Sequence, residues 1–304
     1  MAPVRRRTAG CAVTTFRAAW QTALYGPAGF YRRERPAAHF RTSVHASALF
    51  GQAIARLAHA VGADQVVDIG AGSGELGKVL RDEGLPVVEI ELDDDLPPSL
   101  TGLVVANEWL DNIPCELVEW DEDGVPRYLS ADLTAGDVVD GNDLDWLRRW
   151  WPGEPGDRAE IGRTRDEAWA SVVDRLADGA VAIAIDYGHL RTDRPPYGTL
   201  TGFRAGRECE PVLDGSCDVT AHVAWDSLGG SLVLQRDALR ALGVSAARPS
   251  LELAQTEPLR YVAELSSAGE AAELLDPSGL GGFGWVWTAV GADATRRASR
   301  ALSA

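Results

Sequence analysis

The feature that most constrains this chain is a short apolar run that ends in a glycine-rich turn and leads directly into a helix pattern. Residues 66–69 are apolar and β-branched apart from one Asp, which predicts a buried strand. Gly70, Gly72 and Gly74 follow, and apolar residues then recur at helical spacing until Gly84, the expected C-terminal stop. Such glycines let a ligand approach the bare backbone, and the N–H groups of the helix start face that ligand. The stretch therefore predicts half of a nucleoside-binding βαβ unit.

The identity of the nucleoside stays open at this point. Gly72-x-Gly74-x-x-Gly77 fits the dinucleotide pattern, whereas Asp68-x-Gly70-x-Gly72-x-Gly74 is typical of the first motif of class I S-adenosyl-L-methionine (SAM) methyltransferases. A second apolar run, residues 86–91, follows about twenty residues after the turn and carries carboxylates near its end. An acid in that place can accept hydrogen bonds from ribose hydroxyls.

Charge and cysteine content limit the partners and the compartment. The formal net charge of −16 argues against nucleic acid and anionic membrane as partners, because binding to phosphate needs clustered Lys and Arg. It is compatible with a cationic substrate. The four cysteines are scattered and lack CxxC spacing, so we expect no metal site and a reducing compartment, the cytoplasm. No apolar stretch approaches the roughly 18 residues needed to cross a bilayer.

The rest of the chain predicts one domain with additions. We expect a flexible tail at residues 1–15 and a single domain over residues 16–300. Within that domain, the aromatic, Gly-Pro-containing residues 16–46 suggest an N-terminal cap or lid. The acidic, Trp-rich residues 132–162 suggest an inserted helical or irregular segment. A hairpin is expected over residues 116–129.

Two further patterns concern local structure. Thr164-x-x-Glu167 matches a capping box that would open a helix. Only residues 92–102 separate the second predicted strand from the next apolar run. One βαβ crossover alone takes at least about ten to twelve residues, so a full helix–strand–helix unit does not fit there. We therefore expect an α/β fold with a mostly parallel sheet in which the usual third strand is shortened or missing.

Polar side chains follow two further buried strands. Residues 103–106 lead into Asn107, Glu108 and Asp111, and residues 180–185 lead into Asp186 and Tyr187. Ligands of open α/β sheets bind beyond the carboxyl ends of the strands. These side chains should therefore face the same crevice as the glycine turn.

Six motifs occur in a fixed order along the chain: Ala23-Leu24-Tyr25 with Gly29-Phe30-Tyr31, Asp68-Ile69-Gly70-Ala71-Gly72-x-Gly74, Asn107-Glu108-x-x-Asp111-x-x-Pro114, Asp186-Tyr187-Gly188, Gly198-Thr199-Leu200 and Asp218-x-Thr220-Ala221-His222-Val223. Together they resemble the MidA family, whose mitochondrial member is the complex I assembly-factor arginine methyltransferase. The resemblance covers residues 20–290 and implies a class I (Rossmann-like) SAM-dependent methyltransferase. The chain departs from the family pattern at Gly206, where the family usually has His, and at Ala224, where the family usually has a carboxylate.

The chemistry of methyl transfer suggests which side chains act on the acceptor. A guanidinium has a pKa above about 12, so carboxylates are needed to orient it and to help remove its proton. We expect the catalytic residues to be Glu108, Asp111, Asp186, Tyr187 and His222.

The cofactor, expected to be SAM, would lie along the glycine turn. Glu89 is the expected ribose ligand, with Glu91 as the alternative because both lie on the same face of the strand. Thr42 and Ser43 would close the pocket from the N-terminal side. The full set of expected cofactor-binding residues is Asp68, Gly70, Ala71, Gly72, Gly74, Glu89, Asn107, Thr42 and Ser43.

Three functional hypotheses follow. The first is a SAM-dependent methyltransferase acting on a protein arginine, the substrate class of the mitochondrial relative. The second is a methyltransferase acting on a small molecule, which the changes at Gly206 and Ala224 would allow. The third is a non-catalytic SAM-binding assembly factor that docks a protein on residues 132–162. The expected partner is accordingly a protein or small-molecule methyl acceptor, and a homodimer is left open.

Overall fold

The computed structural model describes residues 14–33 and 42–303, which form helices packed around a central sheet and three smaller sheets. The strands, in chain order, are β1 (Val66–Ile69), β2 (Val87–Ile90), β3 (Leu103–Asn107), β4 (Glu116–Trp120), β5 (Pro126–Leu129), β6 (Ala135–Val138), β7 (Arg158–Ile161), β8 (Val181–Asp186), β9 (Gly188–His189), β10 (Thr201–Arg204), β11 (Arg207–Cys209), β12 (Asp218–Thr220), β13 (Val223–Ala224), β14 (Ser231–Leu234) and β15 (Gly284–Ala289).

The helices, in chain order, are α1 (Phe16–Tyr25), α2 (Phe30–Arg33), α3 (Ser43–Ala46), α4 (Ala48–Val61), α5 (Glu75–Asp82), α6 (Gly141–Trp150), α7 (Arg163–Val173), α8 (Gln235–Ala241), α9 (Leu251–Thr256), α10 (Pro258–Leu275) and α11 (Ala292–Leu302). None of the described helices is both long and apolar enough to cross a membrane. The predicted tail up to residue 13 and residues 34–41 of the predicted cap lie outside the described residues.

The central sheet has six strands in the order β14-β15-β8-β3-β1-β2. The four strands β8, β3, β1 and β2 are parallel, whereas β15 is antiparallel to both of its neighbours. Alternate residues of the strands enter two apolar clusters. One cluster packs against α4, α8, α10 and α11, and the other packs against α7. The predicted α/β architecture with a mostly parallel sheet is confirmed.

The link between β2 and β3 is short and contains no helix or strand over residues 91–102. An isolated parallel bridge between Leu100 and Leu176 is its one sheet-like contact among the described residues. The predicted shortening of the third-strand region is therefore confirmed. Because β1 is flanked directly by β2 and β3, their carboxyl ends meet at one edge of the sheet.

The ends of two helices show how far local sequence decides where a helix begins. Ser47 caps α4 by accepting a hydrogen bond from Leu49 N at 3.1 Å, and Gly62 ends that helix in the left-handed conformation. At α7 the predicted capping box is wrong, since the helix begins at Arg163 and its N-cap makes no side-chain hydrogen bond. Thr164 Oγ1 instead donates to the carbonyl of Pro114 at 2.8 Å, so tertiary contact overrides the local pattern.

A second, antiparallel sheet in the order β6-β5-β4-β7 stands beside the central one. The predicted hairpin forms β4 and β5. Residues 132–162, predicted as an insertion, supply β6, α6 and β7 around a Trp-rich cluster. From the predicted cap, α1 packs with β12, and Trp20 Nε1 donates to the carbonyl of Val219 at 2.9 Å. The elements of the cap therefore join the region that carries β10–β12.

Candidate functional site

A cavity of about 1430 Å³ opens at the carboxyl ends of β1, β2 and β3. That volume exceeds the roughly 300–1,000 Å³ of ordinary ligand pockets, so two ligands could be held side by side. Most of the residues predicted from the sequence line it, namely Thr42, Asp68, Gly70, Ala71, Gly72, Gly74, Glu89, Asn107, Glu108, Asp111, Tyr187 and His222. Ser43 and Asp186 do not line it.

The glycine turn forms one wall of the cavity. Gly70, Gly72 and Gly74 have φ of 70°, 62° and 83°, a region that disfavours other residues, and Gly74 is the N-cap of α5. A Cβ added at Gly70 would lie 2.9 Å from Cδ1 of Trp109. The turn therefore requires glycine for its conformation and, at Gly70, also for the close approach of the indole.

The two carboxylates at the end of β2 have different partners. Glu89 pairs with Arg81 of α5 at 2.9 Å. The carboxylate of Glu91 reaches back to the turn and accepts a hydrogen bond from the backbone N–H of Gly72. Both line the cavity, but Glu91 is the one bound to the turn itself.

Glu108 lies at the end of β3 with a φ of 51°, in the left-handed region that is rare for residues other than glycine. Its Oε1 accepts hydrogen bonds from Ser43 N at 3.0 Å and from Asn107 Nδ2 at 3.2 Å. Burial raises the pKa of Glu108 to about 7. A strained backbone and a carboxyl that titrates near neutrality are both common at functional sites.

Asp111 is buried and lines the cavity. Its Oδ2 accepts a hydrogen bond from Thr220 Oγ1 at 2.7 Å and another from the Tyr187 hydroxyl. Its Oδ1 has no hydrogen-bond partner among the described residues. Burial raises the pKa of Asp111, although the two hydroxyl donors oppose that shift. One oxygen is thus held in place while the other remains free to accept from a ligand.

Asp218, which the sequence analysis did not select, is a further buried carboxyl of the cavity wall. Its Oδ2 accepts from the Tyr31 hydroxyl at 2.9 Å, and Asn112 Nδ2 donates to its Oδ1 at 3.2 Å. Burial raises its pKa to about 8. Tyr25 stacks on Tyr31 with ring centroids 5.5 Å apart. The sequence motifs contain these residues, but the sequence does not show that Asp218 contacts Tyr31 and Asn112.

Asp186 and Ser43 support the lining residues from behind. Oδ2 of Asp186 accepts from Leu110 N at 3.0 Å and from Asp111 N at 3.2 Å. The side chain of Ser43 accepts a hydrogen bond from Gln235 Nε2 at 3.1 Å. Because these groups hold the backbone of the β3 loop or of α3, their direct roles toward substrate or cofactor stay predictions.

Arg165 of α7 is a buried guanidinium that no local pattern predicted. Its Nη2 donates to the carbonyl of Asp111 at 2.6 Å, and its Nη1 donates to the carbonyls of Ala221 and His222 at 2.9 and 2.8 Å. Nε donates to the carbonyl of Ile113 at 3.1 Å. One side chain thus fastens the loop after β3 to the loop after β12, and it fixes the spacing between Asp111 and His222.

His222 contributes its ring to the cavity wall. The ring lies edge-on to Tyr187, with centroids 5.0 Å apart, and its backbone N–H donates to Thr199 Oγ1 at 2.9 Å. Burial, followed by the charge of Arg165, lowers the pKa of His222, so the imidazole is neutral at pH 7. A neutral imidazole can accept a proton but does not repel a cationic ligand.

The cavity as a whole is acidic. Among the described residues that line it there is no Arg and no Lys, whereas nine carry carboxyl groups: Asp68, Glu75, Glu89, Glu91, Asp94, Glu108, Asp111, Glu208 and Asp218. Buried carboxyl groups are stable as anions only when a cation or hydrogen-bond donors face them. The arrangement therefore suits positively charged occupants.

The expected cofactor fits the unsatisfied groups at the glycine turn. Oδ2 of Asp68 and Oδ1 of Asn107 are buried and have no hydrogen-bond partner among the described residues, and both residues line the cavity. Burial raises the pKa of Asp68 to about 7. An α-ammonium group carries the N–H donors that these two acceptors lack. The methionine end of SAM carries such a group, so these residues would hold it.

Comparison with known proteins is consistent with this chemistry. Residues 88–245 match the model of a family described as "Putative S-adenosyl-L-methionine-dependent methyltransferase". A crystal structure of a "likely methyl transferase" from Burkholderia thailandensis, bound to S-adenosyl-homocysteine, superposes with a TM-score of 0.74. It is 22% identical, and the match covers 94% of this chain and 91% of that chain.

A native crystal structure of an uncharacterized protein of the same superfamily, also from Burkholderia thailandensis, has a TM-score of 0.72 and 22% identity. That match covers 93% of this chain and 90% of that chain. No curated protein matches the chain. At these identities the superpositions establish the fold, which is the one predicted from the sequence.

Proposed function

The chain belongs to the family of S-adenosyl-L-methionine-dependent methyltransferases, and on that premise we propose that it methylates a cationic nitrogen, with a protein arginine side chain as the leading acceptor. The observation that carries the proposal is that the glycine turn and several buried carboxyl groups line the same cavity. No Arg or Lys lines this cavity among the described residues. When bound, SAM supplies an electrophilic methyl group on a sulfonium. The protein's own task is to align the acceptor nitrogen with that methyl in a water-poor site.

We propose that the cofactor lies along the turn with its ribose on Glu91 rather than Glu89. The hydrogen bond from Gly72 N to the Glu91 carboxylate supports this choice, because it places that carboxylate within the turn. Glu89 already pairs with Arg81. Asp68 and Asn107 would receive the ammonium group at the other end of the cofactor.

We propose that the acceptor nitrogen is held by Glu108 and Asp111. The unpartnered Oδ1 of Asp111 and the cavity-lining carboxyl group of Glu108 supply acceptors that match the N–H donors of a guanidinium. Arrival of a cation lowers the pKa of both carboxyls, since an opposite charge favours the ionised form. The nitrogen would form its bond to the methyl carbon as the carbon–sulfur bond breaks, which would leave S-adenosylhomocysteine with the electron pair. Either carboxylate could then take the proton that the methylated nitrogen loses.

The six ordered motifs that resemble the MidA family support arginine as the acceptor class and support membership of that family. Of the two departures from its pattern, only Gly206 lines the cavity, whereas Ala224 is buried in β13. With no side chain at Gly206, the wall at the β10–β11 turn leaves room for a different acceptor. This observation keeps a small-molecule methyltransferase as the second candidate.

The test measures transfer of a labelled methyl group from SAM to arginine-containing peptides and, in parallel, to small guanidines and amines. Glu108→Gln and Asp111→Asn should each lower kcat by about 10²- to 10⁴-fold, the usual contribution of general acid–base catalysis. Binding of S-adenosylhomocysteine, measured by calorimetry, should change little. Glu122→Gln, in the exposed turn between β4 and β5, is the control for loss of a carboxylate elsewhere.

Three outcomes separate the hypotheses. Labelling of peptide supports the first candidate, and labelling of small molecules alone supports the second. Tight binding of S-adenosylhomocysteine with no labelled acceptor would favour the non-catalytic assembly factor. No binding of S-adenosylhomocysteine at all would overturn the assignment of the cavity.

A further inference from the structure

We propose that Thr199 is a further binding residue for the methyl acceptor, because the buried carboxylate of Glu160 fixes its hydroxyl as a hydrogen-bond acceptor. The inference rests on the proposed function, since it adds one contact to the acceptor's place in the same cavity. It also gives a role to the Gly198-Thr199-Leu200 motif and to β7, which belongs to the segment predicted as an insertion.

Glu160 is buried in β7, with 3% of its surface exposed, and binds the loop that leads into β10. Its Oε1 accepts hydrogen bonds from Thr199 N at 2.9 Å and from Leu200 N at 3.1 Å, and its Oε2 accepts one from Thr199 Oγ1 at 3.1 Å. Gly198 has a φ of 71°, and a Cβ added to it would lie 2.5 Å from Glu160 Oε1. Residues 198–200 therefore wrap around this carboxylate, and the glycine leaves room for it.

The hydroxyl of Thr199 has most of its hydrogen-bonding capacity assigned by the protein. A threonine hydroxyl carries one hydrogen to donate and two lone pairs with which to accept. The hydrogen is donated to Glu160 Oε2, and one lone pair accepts from the backbone N–H of His222 at 2.9 Å. Among the contacts of the described residues, one lone pair of Thr199 Oγ1 is left for a ligand.

The charge of Glu160 decides the direction of these hydrogen bonds. Burial raises the pKa of Glu160, whereas the hydrogen bonds from Thr199 and Leu200 and the charge of Arg165 oppose that shift. Two backbone N–H groups face Oε1, and a backbone N–H can only donate, so they favour the ionised form. Glu160 is therefore an acceptor toward Thr199, and the hydroxyl hydrogen of Thr199 stays on the side of Glu160.

Thr199 lies on the part of the wall that the proposed acceptor would contact. Thr199, Tyr187 and His222 all line the cavity. Thr199 is hydrogen-bonded to His222, the ring of His222 lies edge-on to Tyr187, and the Tyr187 hydroxyl donates to Asp111. A guanidinium donates through several N–H groups and accepts no hydrogen bond. A hydroxyl held as an acceptor beside the Asp111 carboxyl therefore matches such a ligand.

The test is calorimetric binding of an arginine-containing peptide to the whole protein saturated with S-adenosylhomocysteine, which has no methyl group to transfer. Thr199→Val removes the hydroxyl and should weaken binding of the peptide by roughly tenfold, the usual effect of losing a hydrogen bond to a charged group. Thr199→Ser keeps the hydroxyl and should bind the peptide as the wild type does. Affinity for S-adenosylhomocysteine alone should stay unchanged in both variants.

Glu160→Gln tests whether Glu160 acts through the hydroxyl of Thr199. The amide oxygen can still accept from the N–H groups of Thr199 and Leu200, so the amide nitrogen must donate to Thr199 Oγ1 and turn the hydroxyl hydrogen away. Binding of the peptide should again weaken by roughly tenfold. Glu119→Gln is the matched control, because Glu119 belongs to the same sheet, pairs with Arg158 and does not line the cavity.

The variant that combines Glu160→Gln with Thr199→Val separates positioning from general support of the loop. If Glu160 acts through the hydroxyl, this variant should bind the peptide no more weakly than Thr199→Val alone, because the two changes remove the same interaction. A loss equal to the product of the two single losses would overturn the role of Glu160. Unchanged binding of the peptide in Thr199→Val would overturn the inference as a whole. Failure of the wild type to bind the peptide would instead overturn the proposed acceptor class on which it rests.

Discussion

At the scale of single residues, the site is governed by carboxyl groups that burial keeps from ionising easily. Glu108 and Asp218 have pKa values raised to about 7 and about 8 by burial. Neither faces a lining Arg or Lys among the described residues. These carboxyl groups suit a cationic ligand, but without one they lower the stability of the folded protein at neutral and alkaline pH. Strongly shifted pKa values of this kind are common at functional sites.

Asp218→Asn should make the protein more resistant to heat at high pH. The unfolded-state pKa of Asp is near 3.8 and the folded-state pKa is about 8, so the folded form binds a proton that the unfolded form has lost. Stability that Asp218 contributes at low pH is therefore lost as the pH rises through this window, by up to about 1.4 kcal/mol per pH unit. The neutral amide avoids that loss.

Thermal melts from about pH 6 to about pH 8.5 measure this effect. The melting temperature of Asp218→Asn relative to wild type should rise across the range. Asp82→Asn, on the exposed end of α5, controls for removal of a surface negative charge. A difference between Asp218→Asn and wild type that stays constant with pH would show that Asp218 is already ionised in the folded protein.

At the scale of elements, the strand–turn–helix unit combines two different demands on glycine. Gly70 has a φ of 70° and lies against Trp109, whereas Gly84, after α5, has a φ of 84° and no atom within 4 Å of its added Cβ. Both positions resist a side chain for conformational reasons. Only Gly70 also has a neighbour in the site.

Gly70→Ala and Gly84→Ala should therefore differ in binding but not greatly in stability. Each should lower stability by about 1–3 kcal/mol, the usual cost of a residue other than glycine in a rare backbone conformation. Only Gly70→Ala should displace Trp109 and weaken binding of S-adenosylhomocysteine, by roughly tenfold, which is about 1.4 kcal/mol. Calorimetry of both variants tests this. Equal loss of affinity in the two would mean that general destabilisation, and not the site, is responsible.

At the scale of the whole molecule, the acidic cavity lies in a chain with 29 basic and 45 acidic residues. The electrostatic potential of a surface that carries charge of one sign raises the local concentration of ligands with the opposite charge. Salt screens this attraction. The net charge of −16 has the same sign as those cavity carboxyls that are ionised. The molecule should therefore attract a cationic acceptor from a distance.

The association rate of an arginine-containing peptide should fall by about tenfold between roughly 0.1 M and roughly 1 M salt, as the Debye length shrinks from about 10 Å to about 3 Å. Stopped-flow measurement of binding tests this. The same peptide with citrulline, which is neutral, replacing arginine should show little dependence on salt. An equal response of both peptides would rule out electrostatic steering of the acceptor.

Much of this protein follows from local sequence. The strand–turn–helix unit and the missing third strand were both predicted, because each depends on residues close together in the chain. Polar residues at the ends of β3 and β8 were expected in one crevice for a similar reason, since parallel strands align their carboxyl ends. Glu108, Asp111 and Tyr187 all line the cavity, as that expectation requires.

Only the tertiary structure shows the contacts between residues that are far apart in sequence. Tyr31 meets Asp218 across 187 residues, and Thr220 meets Asp111 across 109. The buried Arg165 joins two loops through backbone carbonyls, which carry no sequence signal. The sequence by itself located most of the residues that line the cavity, because strand ends and glycine turns are local. The tertiary structure decided which carboxyls are buried, paired or free, because burial is a property of the packed chain.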